Sequence, residues 1–183
     1  MKHTHFPSDI CELYEIYEWK HATAILKEDF PSEWHDLLEM LRTFKLQNSW
    51  ITKGGGNKSE LAKWVDGFLG NKGWVEKQFT TSVIVDETIL ESPTHKVDCY
   101  KNRIALELEW NNKDPFYDRD LNNFRLLFDL RAISVGIILT RCDELQEIFN
   151  NLGRGSSYGT AFLMLIDYFV CHWRQGVAAL RPL

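Results

Sequence analysis

The chain has 183 residues and 21.5 kDa, one domain's worth of sequence, with 44% hydrophobic, 26% charged and 13% aromatic residues, 11 Gly and 5 Pro. That balance supports one buried core and excludes disordered, collagen-like and low-complexity chains. Net charge is −5, which at face value argues against nucleic acid, but residues 1–40 carry 3 basic and 9 acidic side chains, residues 41–80 carry 7 and 3, and residues 81–183 carry 11 and 14.

In chain order, Leu13 to Trp19 alternates as a strand does, with helix as the alternative, and Lys20 to Glu28 reads as a short helix. Pro31 suits the first turn of a second helix, in which Trp34, Leu37, Leu38 and Leu41 recur at helical spacing. A polar loop, Thr52 to Ser59, leads to a third helix, Glu60 to Leu69, with Ser59 as its cap and Gly70 and Gly73 at its end. The period then changes. Thr80 to Val85 is β-branched and Arg103 to Trp110 alternates strictly, so both predict strands. Asp118 to Arg131 spaces Leu121, Phe124, Leu127 and Phe128 as a helix, Val135 to Thr140 is a short apolar run typical of a strand covered on both faces, and Asp143 can cap a helix over 144–150. Strand, helix, strand in that order predicts a crossover unit, hence an α/β domain with a mixed central sheet flanked by helices.

Cys11, Cys99, Cys142 and Cys171 are scattered and form no CxxC pair, which fits a reducing cytosol better than a disulfide framework. The N-terminal residues lack the apolar run of a signal peptide, and the densest apolar stretch, Ala161 to Cys171, is too short for a bilayer and contains Asp167. The expectation is a soluble cytoplasmic protein with no membrane contact.

The informative strand is Arg103-Ile-Ala-Leu-Glu-Leu-Glu-Trp110. Period two sets Ile104, Leu106, Leu108 and Trp110 on one face and Ala105, Glu107 and Glu109 on the other. A hairpin turning over Cys99 to Asn102 would bring Asp98 beside Glu107 and make a cluster of three carboxylates. Clustered acids raise one another's pKa unless a cation sits among them, and hard oxygen ligands of this kind suit Mg²⁺. The alternative is a sheet face of solvated acids. Asn111, Asn112 and Lys113, at the strand's exit, suit contacts to bases and phosphates, and equally suit a turn.

Several segments resemble the BglII-type restriction endonucleases of the PD-(D/E)xK nuclease fold, relatives of BamHI and BstYI. They are Tyr17 to Leu26, Gly54-Gly-Gly-Asn-Lys-Ser59, Lys72-Gly-Trp74, Val97 to Trp110 and Val135-Gly-Ile-Ile-Leu-Thr140, which together span about residues 13–160. The resemblance implies a single nuclease domain over 1–183 that hydrolyses palindromic duplex DNA with Mg²⁺ as a homodimer, within a restriction-modification defence system. It implies that Asp98 and Glu107 are metal ligands, together with the backbone carbonyl of Leu108. Glu109 then fills the slot that is Lys in most of the fold, Gln in BglII and Glu in BamHI, where a carboxylate would orient or deprotonate the attacking water. Glu76 is carried over as a further acid, and Lys53, Asn57, Lys58, Ser59, Asn111, Asn112 and Lys113 as DNA-facing residues.

After Gly159 the sequence departs from this pattern. Residues 161–183 read either as a divergent helix with Phe162, Leu165 and Phe169 inward or as an aberrant, frameshifted or truncated end. Two other functions stay open: a DNA-binding protein of nuclease fold that has lost cleavage, and an acidic domain with no nucleic-acid role.

Overall fold

The computed structural model describes residues 5–53, 58–91, 94–110, 116–142, 145–155 and 177–182. Its first part holds α1 (Ser8–Leu13), β1 (Tyr14–Glu18), α2 (Ala22–Asp29), α3 (Pro31–Thr43), α4 (Asn48–Thr52) and α5 (Glu60–Gly70). The expected strand at the start is β1. α2 begins two residues later than the sequence implied, because Lys20 and His21 adopt left-handed φ values of 50° and 59°. Pro31 opens α3, and Trp34, Leu37, Leu38 and Leu41 all turn inward, as their spacing requires. Ser59 caps α5 by accepting the Ala62 N–H at 3.1 Å, and Gly73 turns the chain out of it at φ +86°.

The remainder comprises β2 (Val75–Lys77), β3 (Ser82–Val85), β4 (Thr88–Glu91), β5 (Val97–Lys101), β6 (Ile104–Glu109), α6 (Phe116–Asp129), β7 (Val135–Thr140), α7 (Leu145–Asn151) and β8 (Val177–Pro182). Six strands form one mixed sheet in the order β1-β8-β7-β6-β5-β2, with β6, β7 and β8 mutually parallel and the other pairings antiparallel. The crossover from β6 through α6 to β7 is the expected unit. The β-branched segment near Ser82 is a strand but stands outside this sheet, as a separate hairpin with β4.

The short elements α1, α4, β2 and β4 carry no periodic signal, and neither does β8, the one among them that matters most to the sheet. It lies between β1 and β7, pairing with β1 antiparallel and with β7 parallel, so a strand near the end of the chain completes the middle of the sheet. Over 177–182 this strand replaces the helix considered for residues 161–183, because the backbone there pairs with both β1 and β7; the rest of that segment and the Asp143 cap fall outside the described residues.

The central strands β6 and β7 are buried on both faces, and strict alternation sorts their side chains. Ile104, Leu106, Val135, Ile137 and Leu139 join the larger core with α2, α3, α5 and α7, whereas Ala105 and Ile138 join Leu121, Phe124 and Leu127 of α6. Small residues let α6 come close. A methyl group on Gly136 would stand 2.5 Å from the Phe124 ring, inside any tolerable contact. On the other side of the sheet, buried Asp36 of α3 accepts from Trp74 Nε1 at 3.0 Å and from Lys101 Nζ at 2.8 Å, and Glu33 accepts from Asn102 Nδ2 at 2.8 Å. These bonds anchor the β5–β6 turn to α3.

The Gly136 contact makes a direct prediction. Gly136→Ala should destabilise the protein by about 1–3 kcal/mol through overpacking, and shortening the opposing ring with Phe124→Leu should recover part of that loss. Urea unfolding of both single variants and the double variant measures the coupling, and strictly additive losses would refute the contact.

Candidate active site

β5 and β6 form a hairpin with a two-residue turn, Asn102–Arg103, at φ 44° and 70°. This conformation matches the twist of paired strands, and asparagine tolerates it well. The turn is shorter than the Cys99–Asn102 turn inferred from sequence, because pairing continues through Lys101↔Ile104. Cys99 faces Leu106, so the next pair outward is Asp98 with Glu107. The two acids hold each other's strands. The Asp98 N–H donates to Glu107 Oε2 at 3.2 Å, and the Leu108 N–H donates to Asp98 Oδ2 at 3.1 Å.

These carboxylates are not on a solvated face. Glu107 is 2% exposed, and its pKa is pushed from an ordinary 4.5 to about 10, by burial first and then by the charges of Asp98 and Asp120. Burial also raises Asp98, against the stabilising Leu108 N–H, and Asp66 adds to the rise. Glu109, 8% exposed, meets Arg119 Nη2 at 3.5 Å. The same guanidinium reaches Asp120 Oδ1 through Nε at 3.0 Å.

Asp66, Arg119 and Asp120 were not singled out from the sequence. Asp66 comes from α5, where Cys99 Sγ lies 3.8 Å from its Oδ1. Asp120 had a legible signal: it lies one turn before Phe124 on the inward stripe of α6. Since α6 runs back over the sheet from the end of β6, one turn upstream of the Phe124–Gly136 contact puts Asp120 over the level of Glu107 and Ile138. It is fully buried.

The expected DNA-facing residues separate. Asn57, Asn111, Asn112 and Lys113 lie outside the described residues. Lys53 is on the surface, 3.6 Å from Glu60, and Ser59 spends its hydroxyl on the α5 cap. Lys58 is not a free loop cation. It forms an ion pair with Asp66, which raises its pKa first, and the charges of Asp98 and Glu76 add to the rise. Glu76 does not join the acid pair: half exposed, it bonds Lys96 at 2.7 Å, and that hydrogen bond lowers its pKa.

Hard oxygen donors on a buried hairpin fit a divalent cation. Among the described residues no group of three or more His, Cys, Asp or Glu side chains forms a ready metal cage. A cation such as Mg²⁺ commonly takes one or two carboxylates and fills its other positions with water and substrate phosphate. Glu107 Oε1 and Asp120 Oδ2 are both buried without a hydrogen-bond partner among the described residues, so carboxylate oxygens remain available for such an ion.

A mixed sheet flanked by helices, bearing buried acids on a hairpin, defines a restriction-endonuclease-like nuclease. Residues 14–169 match the family model for restriction endonuclease BglII/BglIII. The chain belongs to this family: it is a type II restriction endonuclease, an enzyme that binds duplex DNA and hydrolyses it at specific sites. Members of the family generally use a divalent metal. The match continues ten residues beyond Gly159, where the sequence had looked divergent. No curated protein matches the chain, and among the described residues no helix is long and apolar enough to cross a membrane.

Glu107 fixes a pH dependence. With a folded pKa near 10 and an unfolded one near 4.5, it contributes no loss below the unfolded value and costs stability as pH rises toward the folded one. In metal-free buffer Glu107→Gln should therefore melt like the parent near pH 5 and above it by a margin that grows toward pH 9, at up to about 1.4 kcal/mol per pH unit. A margin that stays constant with pH would refute the buried, neutralised acid.

Proposed function

We propose that the enzyme cleaves palindromic duplex DNA at Asp98, Glu107 and Glu109, with Mg²⁺ as its metal, in defence against foreign DNA. The observation that carries this reading is the Asp98–Glu107 pair, two acids set opposite each other in the hairpin, Glu107 held by the Asp98 N–H and Asp98 by the Leu108 N–H. Two buried, mutually repelling carboxylates cost stability in the free protein, and a cation among them removes that cost.

Asp98 and Glu107 would hold the metal. The Leu108 carbonyl is suited to join them, because the N–H and C=O of one strand residue point to the same neighbour and the Leu108 N–H points to Asp98. The bound ion supplies Lewis-acid stabilisation of the phosphoryl charge and a more acidic water. Glu109, one alternation further along the same face, orients the attacking water and accepts its proton, while Arg119 keeps that carboxylate in place. Lys58 and Lys53, with Asn57, Asn111, Asn112 and Lys113, face the duplex. Lys58 is suited to a phosphate near the cut because its ammonium already lies among the acids. A palindrome has two-fold symmetry, so a homodimer brings one such site to each strand.

Single-turnover cleavage of duplex DNA in Mg²⁺, paired with gel shifts in Ca²⁺, tests this. Asp98→Asn should abolish cleavage while the gel shift persists. Glu109→Gln, similar in shape, should slow cleavage by about 100-fold or more. If Glu109→Gln cuts within a few-fold of the parent at every pH, Glu109 is a positioning residue and not the base.

A further inference from the structure

The hydrogen bonds leave one side of Glu107 unexplained. Its Oε2 takes the Asp98 N–H, whereas its Oε1 is buried and has no partner among the described residues. Asp120 repeats the arrangement: Oδ1 accepts from Arg119 Nε at 3.0 Å, and Oδ2 is buried with no partner among the described residues. Both side chains are more than nine-tenths buried, at 2% and 0% exposure. Placement brings them together, since Asp120 sits one helical turn before the Phe124–Gly136 contact and Glu107 two strand residues beyond the partner of Gly136. The distances along helix and strand are about 5.4 Å and 6.7 Å, so the two carboxylates share a level. Glu107 also responds to the negative charge of Asp120.

A buried carboxylate oxygen without a donor costs free energy, and two that face one site cost more. Either a proton or a cation must lie between them when the protein is at work. Charge favours the cation. Asp66, Asp98, Glu107, Glu109 and Asp120 gather here, and the cations that bond them among the described residues are Lys58 and Arg119. One shared proton would leave most of that excess in place.

We propose that Glu107 Oε1 and Asp120 Oδ2 form a divalent-cation subsite on the α6 side of β6, separate from the side of Glu107 that faces Asp98. This deepens the proposed function and rests on its reading of Glu107 as a metal ligand. Asp120 becomes a ligand contributed by the crossover helix, and Arg119 its counter-charge. The subsite ties α6 to β6 through the ion, so metal occupancy and the seating of the helix over the site rise together.

Crystals of the full-length parent soaked in Mn²⁺ and measured at the manganese absorption edge test the subsite without any variant. The expected result is an anomalous peak in coordinating contact with both Asp120 and Glu107. In Mn²⁺ titrations followed by electron paramagnetic resonance, Asp120→Asn should weaken that site by about tenfold or more, while Asp98→Asn weakens the other. A peak bonded to Asp98 and Glu107 with none touching Asp120 would overturn the subsite, mean that a proton bridges the two acids, and leave the proposed function standing. Absence of any peak near Glu107 would overturn both.

Discussion

Glu107 lies almost out of water beside Asp98, with Asp120 on the helix above it. A carboxylate so placed cannot stay ionised in the free protein without a cation, and much of the surrounding architecture reads as a response to that constraint. The hairpin gives each acid of the Asp98–Glu107 pair one backbone N–H, which fixes its position without neutralising it. Arg119 answers Glu109 and Asp120 from α6, and Lys58 answers Asp66 from the start of α5. Salt-bridge pairing therefore reaches the periphery of the cluster and stops short of its centre, where an added ion has the most to gain.

The seating of α6 sets how tightly that centre is closed. Ala105 and Gly136 keep the sheet surface low beneath Phe124, which lets the helix approach and bury Asp120. A larger residue at either strand position would lift the helix and admit water, lowering the cost of the buried charges and with it the advantage of binding a cation. The opposite face is secured independently. Asp36 would be raised by its burial, yet its bonds from Lys101 and Trp74 hold its pKa below the usual carboxylate range, and the same bonds pin the hairpin turn to α3. One side of the sheet thus anchors the hairpin while the other closes over its acids.

Local signals in the sequence carried the parts of this arrangement that depend on neighbouring residues. Period-two alternation identified β6 and the faces of its residues, the continuous apolar run Val135 to Thr140 identified a strand covered on both sides, and Ser59 marked the start of α5. What stayed hidden depends on contacts distant in sequence. β8 pairs with β1, more than 150 residues earlier, and its short Val-Ala-Ala-Leu core lacks the alternation that would mark it. Lys58 looked like a loop cation because its partner, Asp66, is two helical turns on. Asp120 is one of several acids near the start of α6, and its place one turn before Phe124 on the inward stripe is what distinguishes it from its neighbours.

Glu109 adds a further negative charge to the acids of the hairpin, which the surrounding residues must absorb. A lysine on β6 would bring its positive charge on a flexible stem from the same strand that carries the acids. Here the cations come from elsewhere: Arg119 from the first turns of α6 and Lys58 from the residue before the α5 cap. Arg119 lies on α6 and Lys58 just ahead of α5, both on elements that border the hairpin rather than on the hairpin itself. A planar guanidinium bonded to Glu109 and Asp120 together is also a stiffer counter-charge than a lysine ammonium, because its nitrogens are fixed relative to one another. Glu109 is consequently held on the site's face with its orientation set by the helix. The positive charge of the site thus moves with α6 and α5, so any displacement of either helix alters the field at the acids as well as the shape of the cleft.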